Sequence, residues 1–229
     1  MNLPNLISAG RIVAAPFIAM LPFVDSVGVR FFAFALYLIT AISDHIDGKI
    51  ARARGLITDL GKVLDPLADK LLLVGCFVPM FLMQAPAADP LLALLPASEE
   101  RAQYYFLTFG LGPVYFPWWV LVPIVGREAF MTWFRGFAQA RGVVIAAQKL
   151  GKWKAGFQYT WMGAAFAWFA VRLMIERNQW WGHPVADVGA RVLGSIGAIT
   201  MYVALLLTLI SLADYLVRHR RVFTRPKAP

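Results

Sequence analysis

Six apolar stretches dominate this chain of 229 residues, near 8–25, 28–52, 59–84, 113–135, 155–177 and 189–217. Each is close to the ~20 helical residues that cross a bilayer. Hydrophobic residues make up 59% of the chain and charged residues only 15%, against about 25% in soluble domains. A soluble fold of this length would need far more polar surface. The reading is an all-α polytopic membrane protein: six transmembrane helices in a single domain over 1–229, preceded by a short N-terminal interfacial helix from Leu3 to Ile7. No basic stretch leads the first apolar run, so that run is expected to stay as a span. Eight Trp, seven Tyr and 17 Phe suit interfacial belts and lipid-facing surface.

The net charge of +9 would suggest nucleic acid in a soluble protein. Here the basic residues lie at the ends of apolar runs, so no nucleic acid is expected. Anionic membrane lipids are the expected partner of the basic tail from Arg218 to Lys227. With both termini inside, 17 of the 22 Lys and Arg fall on the inner side and five on the outer, which predicts cytoplasmic termini. The longest outer connection, from Ala85 to Gly112, holds Pro86, Pro90, Pro96 and the cluster Ser98, Glu99, Glu100 and Arg101. It reads as a surface loop with room for a short helix. The single cysteine, Cys76, excludes an internal disulfide framework and a Cys-rich metal site.

Four carboxylates interrupt this apolar pattern: Asp44 and Asp47 on the second predicted helix, Asp65 and Asp69 on the third. An Asp near the middle of a bilayer costs roughly 2.5–3.5 kcal/mol on insertion scales, so four together call for neutralisation. Residues three and four apart share a helix face. Asp44, Asp47, Gly48, Ala51 and Arg52 therefore form one stripe, and Gly61, Asp65 and Asp69 form another. The two helices are consecutive, antiparallel and joined by a short turn, so the stripes can face each other at one depth. Hard oxygen ligands in this number suit two divalent cations, Mg2+ or Mn2+, as in two-metal phosphoryl transfer. Gly48, Ala51 and Gly61 let a bulky ligand approach the backbone, and Arg52 offers a guanidinium fork to a diphosphate. A solvated acidic face paired with Lys49, Lys62 and Lys70 is one alternative, although it would not demand small residues between the acids. An ion path through a transporter is another.

The pattern Asp-x2-Asp-Gly-x2-Ala-Arg-x8-Gly-x3-Asp-x3-Asp, filled by Asp44, Asp47, Gly48, Ala51, Arg52, Gly61, Asp65 and Asp69, resembles the signature of the CDP-alcohol phosphatidyltransferases. The resemblance implies six transmembrane helices, a homodimer, and displacement of CMP from a CDP-linked lipid by an alcohol at the cytoplasmic face. It implies that Asp44, Asp47 and Asp65 ligate one divalent ion and that Asp44, Asp65 and Asp69 ligate the second. Gly48, Ala51, Arg52 and Gly61 would line the CDP-lipid site, and Asp69 would be the catalytic base for the acceptor hydroxyl.

Three further stretches bear on the acceptor: 2–11, 64–70 and 126–154. They resemble the bacterial phosphatidylglycerophosphate synthases within that family. That likeness implies CDP-diacylglycerol and glycerol 3-phosphate as substrates, and the bacterial inner membrane as location. The outer loop is atypical of that subgroup. Arg127 and Arg135 close the fourth predicted span, while Lys149, Lys152 and Lys154 precede the fifth. A basic cluster beside a di-metal site can hold an acceptor phosphate, and Arg127, Arg135 and Lys149 are the expected contacts. Other acceptors (inositol phosphate, serine, phosphatidylglycerol) and an Asp-rich intramembrane prenyltransferase are the competing readings.

Overall fold

The computed structural model describes residues 3–53, 58–94, 104–142 and 149–218. Within these, the side chains at 3, 45–53, 59, 62 and 149 lie outside the description. Six long helices form the bundle: α1 (Leu3–Met20), α2 (Val27–Ala53), α3 (Asp59–Gln84), α4 (Trp118–Gln139), α5 (Lys149–Arg177) and α6 (Pro184–Arg218). Among the described residues there is no β-strand, only one isolated bridge. The expected all-α class is therefore observed.

Local chemistry sets the helix ends. The Thr58 hydroxyl caps α3 by accepting from the Gly61 N–H at 3.0 Å, which satisfies one orphan donor of the first turn. Pro184 opens α6, where its missing N–H costs nothing. Beyond α4, Gly142 takes a φ of +70°, a conformation that favours glycine.

Among the described residues, four helical segments are long and apolar enough to cross a membrane: Pro4–Phe23, Val27–Asp44, Val63–Gln84 and Pro184–Arg218. The other two helices reach the length but not the apolarity. Arg127, Glu128 and Arg135 interrupt α4, and α5 carries Lys149, Lys152 and Lys154 at one end and Arg172, Glu176 and Arg177 at the other. Yet α5 is the most enclosed helix, packed against α2 and α6. Its Trp161, Ala165, Trp168 and Ala170 are fully buried. A helix wrapped by its neighbours meets little lipid, so it need not be apolar throughout. Trp161 anchors the core, with Phe116 at 4.7 Å and Phe77 at 5.1 Å between ring centroids. Outward faces carry exposed Val13, Phe17, Ile39, Val78, Ile199 and Leu206. Such an apolar exterior is costly in water and expected in lipid.

Two expectations need correction. The piece from Leu3 to Ile7 is no separate interfacial helix; it is the opening of α1, which runs unbroken to Met20. Pro4 sits in the first turn, where proline is tolerated, so nothing breaks the helix there. The outer connection is also not a plain surface loop. A 3-10 turn at Leu92–Leu94 is present, but Tyr104, Phe106, Thr108, Val114 and Phe116 are buried. Phe106 and Val114 exchange N–H to O bonds of 2.9 Å each. The Gln84 amide donates to the Tyr104 carbonyl at 3.3 Å, and the Trp168 indole donates to it at 3.0 Å. Non-helical backbone inside an apolar bundle needs such partners. The cluster from Ser98 to Arg101 lies outside the described residues.

Candidate active site

Asp44 of α2 and Asp65 and Asp69 of α3 meet a polar face of α1. Asn5, Ser8 and Arg11 lie three residues apart on that helix and are all buried. Ser8 donates its hydroxyl to Asp65 Oδ1 at 2.6 Å. Arg11 donates from Nη1 to Asp44 Oδ1 and from Nη2 to Asp69 Oδ1, the latter at 2.7 Å. One guanidinium thus bridges an acid of α2 and an acid of α3. A buried charge is tolerable only when paired, and Arg11, 2% exposed, meets two carboxylates. The Tyr159 hydroxyl of α5 approaches Asp44 Oδ2 at 3.4 Å, while the Tyr37 hydroxyl donates to the Tyr159 carbonyl at 2.6 Å. Asp44, Asp65 and Asp69 are thereby each tethered through one oxygen to a side chain of α1.

Asn5 and Thr58 exchange hydrogen bonds of 3.0 and 3.1 Å, which locks the start of α3 onto α1. Gly61 belongs to the same contact. A Cβ there would lie 2.9 Å from Asn5 Oδ1, so its small size serves helix packing at this point. Asp47, Gly48, Ala51 and Arg52 fall on the last turns of α2, with side chains outside the described residues.

A second constellation lies where α4, α5 and α6 meet. A cavity of about 290 Å3 is lined by Arg127, Glu128, Arg135, Lys152 and Lys154, with Ser211 and Tyr215 behind. Arg127 Nη1 meets Glu128 Oε1 at 3.1 Å, and Lys154 Nζ pairs with the same oxygen. Burial pushes the Lys154 ammonium below its ordinary pKa, while the Glu128 carboxylate works the other way. Arg135 and Arg127 line this one cavity together. Lys149 begins α5, its side chain outside the description.

A third feature joins these two. A groove of about 510 Å3 runs between α3 and α4, with Asp69, Lys70 and Glu128 at its polar part and Leu73, Val74 and Val125 along its apolar wall. Asp69 is half exposed, at 52%, and faces this groove.

Among the described residues, no three His, Cys, Asp or Glu side chains gather into a metal-binding group. Arg11 sits between Asp44 and Asp69, and the carboxylate of Asp47 lies outside the described residues. The donor chemistry nonetheless fits hard cations. All the acids offer oxygen, and for Asp65 and Asp69 the described tether to α1 uses Oδ1, leaving Oδ2 for a ligand. Residues that hold a ligating carboxylate in this way orient it.

Sequence reasoning missed Ser8, Arg11 and Tyr159 as members of this site. The signal for the first two was present: polar residues at Asn5, Ser8 and Arg11 recur at a three-residue interval inside an apolar run.

The family model for CDP-alcohol phosphatidyltransferase matches residues 1–224. A CDP-diacylglycerol--glycerol-3-phosphate 3-phosphatidyltransferase of Rickettsia bellii is 40% identical over 110 residues, 48% of this chain and 57% of that protein. One of Rickettsia typhi is 33% identical over 175 residues, 76% of this chain and 91% of that protein. A cardiolipin synthase (CMP-forming) of Oryza sativa is 29% identical over 167 residues, 70% of this chain and 44% of that protein. The match thus spans little more than half of the Rickettsia bellii relative and nine-tenths of the Rickettsia typhi one. The chain belongs to the CDP-alcohol phosphatidyltransferase family.

Proposed function

We propose that this family member transfers the phosphatidyl group of CDP-diacylglycerol to glycerol 3-phosphate, releasing CMP and forming phosphatidylglycerol phosphate. The observation that carries the reading is the shared wall between two cavities. A basic pocket suited to a phosphate monoester abuts, through Glu128, the groove on which Asp69 opens. The names of the Rickettsia relatives agree with it.

The chemistry follows from these groups. The acceptor's primary hydroxyl oxygen forms a bond to the phosphorus that bears diacylglycerol. The bond from that phosphorus to the bridging oxygen breaks, and CMP leaves with its electron pair. Asp69, at the mouth of the groove, accepts the hydroxyl proton; its placement contributes as much as its basicity. Two divalent cations, Mg2+ or Mn2+, held by Asp44, Asp47, Asp65 and Asp69 would neutralise the diphosphate and the charge developing on CMP. Gly48, Ala51, Arg52 and Gly61 carry the donor's CDP part. The apolar wall of Leu73, Val74 and Val125 suits the donor's acyl chains. Arg127 and Arg135, with Lys149, Lys152 and Lys154, hold the acceptor phosphate. In this reading all six helices span a bacterial inner membrane, the termini and site face the cytoplasm, and the protein works as a homodimer.

Phosphatidylglycerol as acceptor is the second reading, prompted by the cardiolipin synthase relative. The number of cations around the basic pocket favours a dianionic monoester over a singly charged diester. An acceptor screen that counts CMP in detergent decides. Release with glycerol 3-phosphate alone supports the proposal, and release only with phosphatidylglycerol, serine or inositol phosphate replaces it. No release with any acceptor would favour transport or prenyl transfer.

A further inference from the structure

Glu128 is the only residue that lines both the basic pocket and the Asp69 groove among the described residues. A carboxylate is an unexpected wall for a phosphate pocket, because it repels the ligand the cations attract. Counter-charge for Arg127 and Lys154 explains part of its presence. Both cations, however, meet Oε1, and among the described residues no side chain is bonded to Oε2. That oxygen belongs to a carboxylate standing where an acceptor would pass from its phosphate, held in the pocket, to its reacting hydroxyl, presented to Asp69. Between those ends glycerol 3-phosphate carries one more polar group, the hydroxyl on its middle carbon. A hydroxyl donates, an ionised carboxylate only accepts, and charge-assisted bonds of this kind are among the stronger ones.

We infer that Glu128 is a specificity-determining residue that accepts a hydrogen bond from the middle hydroxyl of a polyol phosphate acceptor. This rests on the proposed function and deepens it. The acceptor class is then a phosphate monoester with vicinal hydroxyls, and a diol phosphate lacking the middle hydroxyl is the discriminated analogue. A site built to bond a substrate hydroxyl rejects the analogue without it, because its charged acceptor is left without that partner.

The test compares glycerol 3-phosphate with 3-hydroxypropyl phosphate, which keeps the phosphate and the primary hydroxyl but lacks the middle one. The kcat/KM for CMP release is measured for wild type, Glu128→Ala and Glu128→Gln in detergent with CDP-diacylglycerol. Wild type should prefer glycerol 3-phosphate at least about tenfold, and Glu128→Ala should abolish most of that preference. Glu128→Gln keeps the shape and a neutral acceptor oxygen, so it should retain an intermediate preference. It also stands in should the alanine variant fail to fold. Loss of Glu128 disturbs Arg127 and Lys154 for both acceptors alike, so that effect cancels in the ratio. An unchanged preference in both variants, or an indifferent wild type, overturns the inference while leaving the transferase reading intact. A wild type inactive with glycerol 3-phosphate but active with a different alcohol overturns both.

Discussion

The buried guanidinium of Arg11 donates to the Asp69 carboxylate across 2.7 Å, tying the first apolar helix to the third at the acidic cluster. The same side chain holds Asp44 of α2. A single internal cation thus stands between two acids that would otherwise repel each other at the end of an apolar bundle. Its partners are unequal in exposure, with side chains 29% exposed for Asp44 and 52% for Asp69. Water already screens part of the Asp69 pairing.

Replacing Arg11 by Met should lower the thermal midpoint in detergent and EDTA by about 3–10 °C. Excess Mg2+ or Mn2+ should restore most of the loss, because a divalent cation offers positive charge to the same carboxylates. Thermal unfolding with and without metal checks this. A loss that metal leaves untouched would make Arg11 a packing residue only.

Asp69→Asn keeps the shape of the side chain and removes its capacity to take a proton. Turnover should fall about 100- to 10,000-fold, with CDP-lipid affinity changed only a few-fold. Single-turnover CMP release and a binding titration separate the two effects. Full activity in this variant would move the base elsewhere.

Arg135→Ala should raise KM for glycerol 3-phosphate about tenfold and leave KM for the CDP-lipid nearly unchanged. Steady-state kinetics with each substrate varied in turn measures the contrast. Equal changes in both constants would place the acceptor phosphate outside the pocket of α4, α5 and α6.

At Gly194 an added Cβ would fall 2.0 Å from the Leu107 carbonyl oxygen, and at Gly197 2.4 Å from the Phe106 ring. The carbonyl is backbone and cannot swing aside. Gly194→Ala should therefore destabilise by about 1–3 kcal/mol. Gly189→Ala, where nothing lies within 4 Å, should be neutral. Paired unfolding curves test whether the outer segment is seated on α6 in the folded protein.

The long apolar runs made the helices legible, and the third was expected at the residues it occupies, Asp59–Gln84. The four-residue spacing of Asp65 and Asp69 likewise put them on one face of α3, and both meet α1 there, because helical periodicity survives any membrane context. Arg11 was harder to read. One Arg in a terminal apolar run looks like a topological charge, and only the tertiary approach of α1 to α3 turns it into a counterion for Asp44 and Asp69. The outer segment hid a different pattern. Burial at 104, 106 and 108, with 105 and 107 less covered, is the period-two alternation of extended chain, masked by the nearby prolines. Glu128 was given no role of its own beside Arg127, because that role depends on two cavities that meet only in three dimensions.

The most direct test of the central claim, that carboxylates converging from α2 and α3 serve phosphatidyl transfer, is metal-dependent CMP release by the purified chain. With CDP-diacylglycerol and glycerol 3-phosphate, CMP should appear in Mg2+ or Mn2+, cease in EDTA and return when metal is restored, and Asp65→Ala should release none. CMP release indifferent to EDTA, or unimpaired in Asp65→Ala, would contradict it.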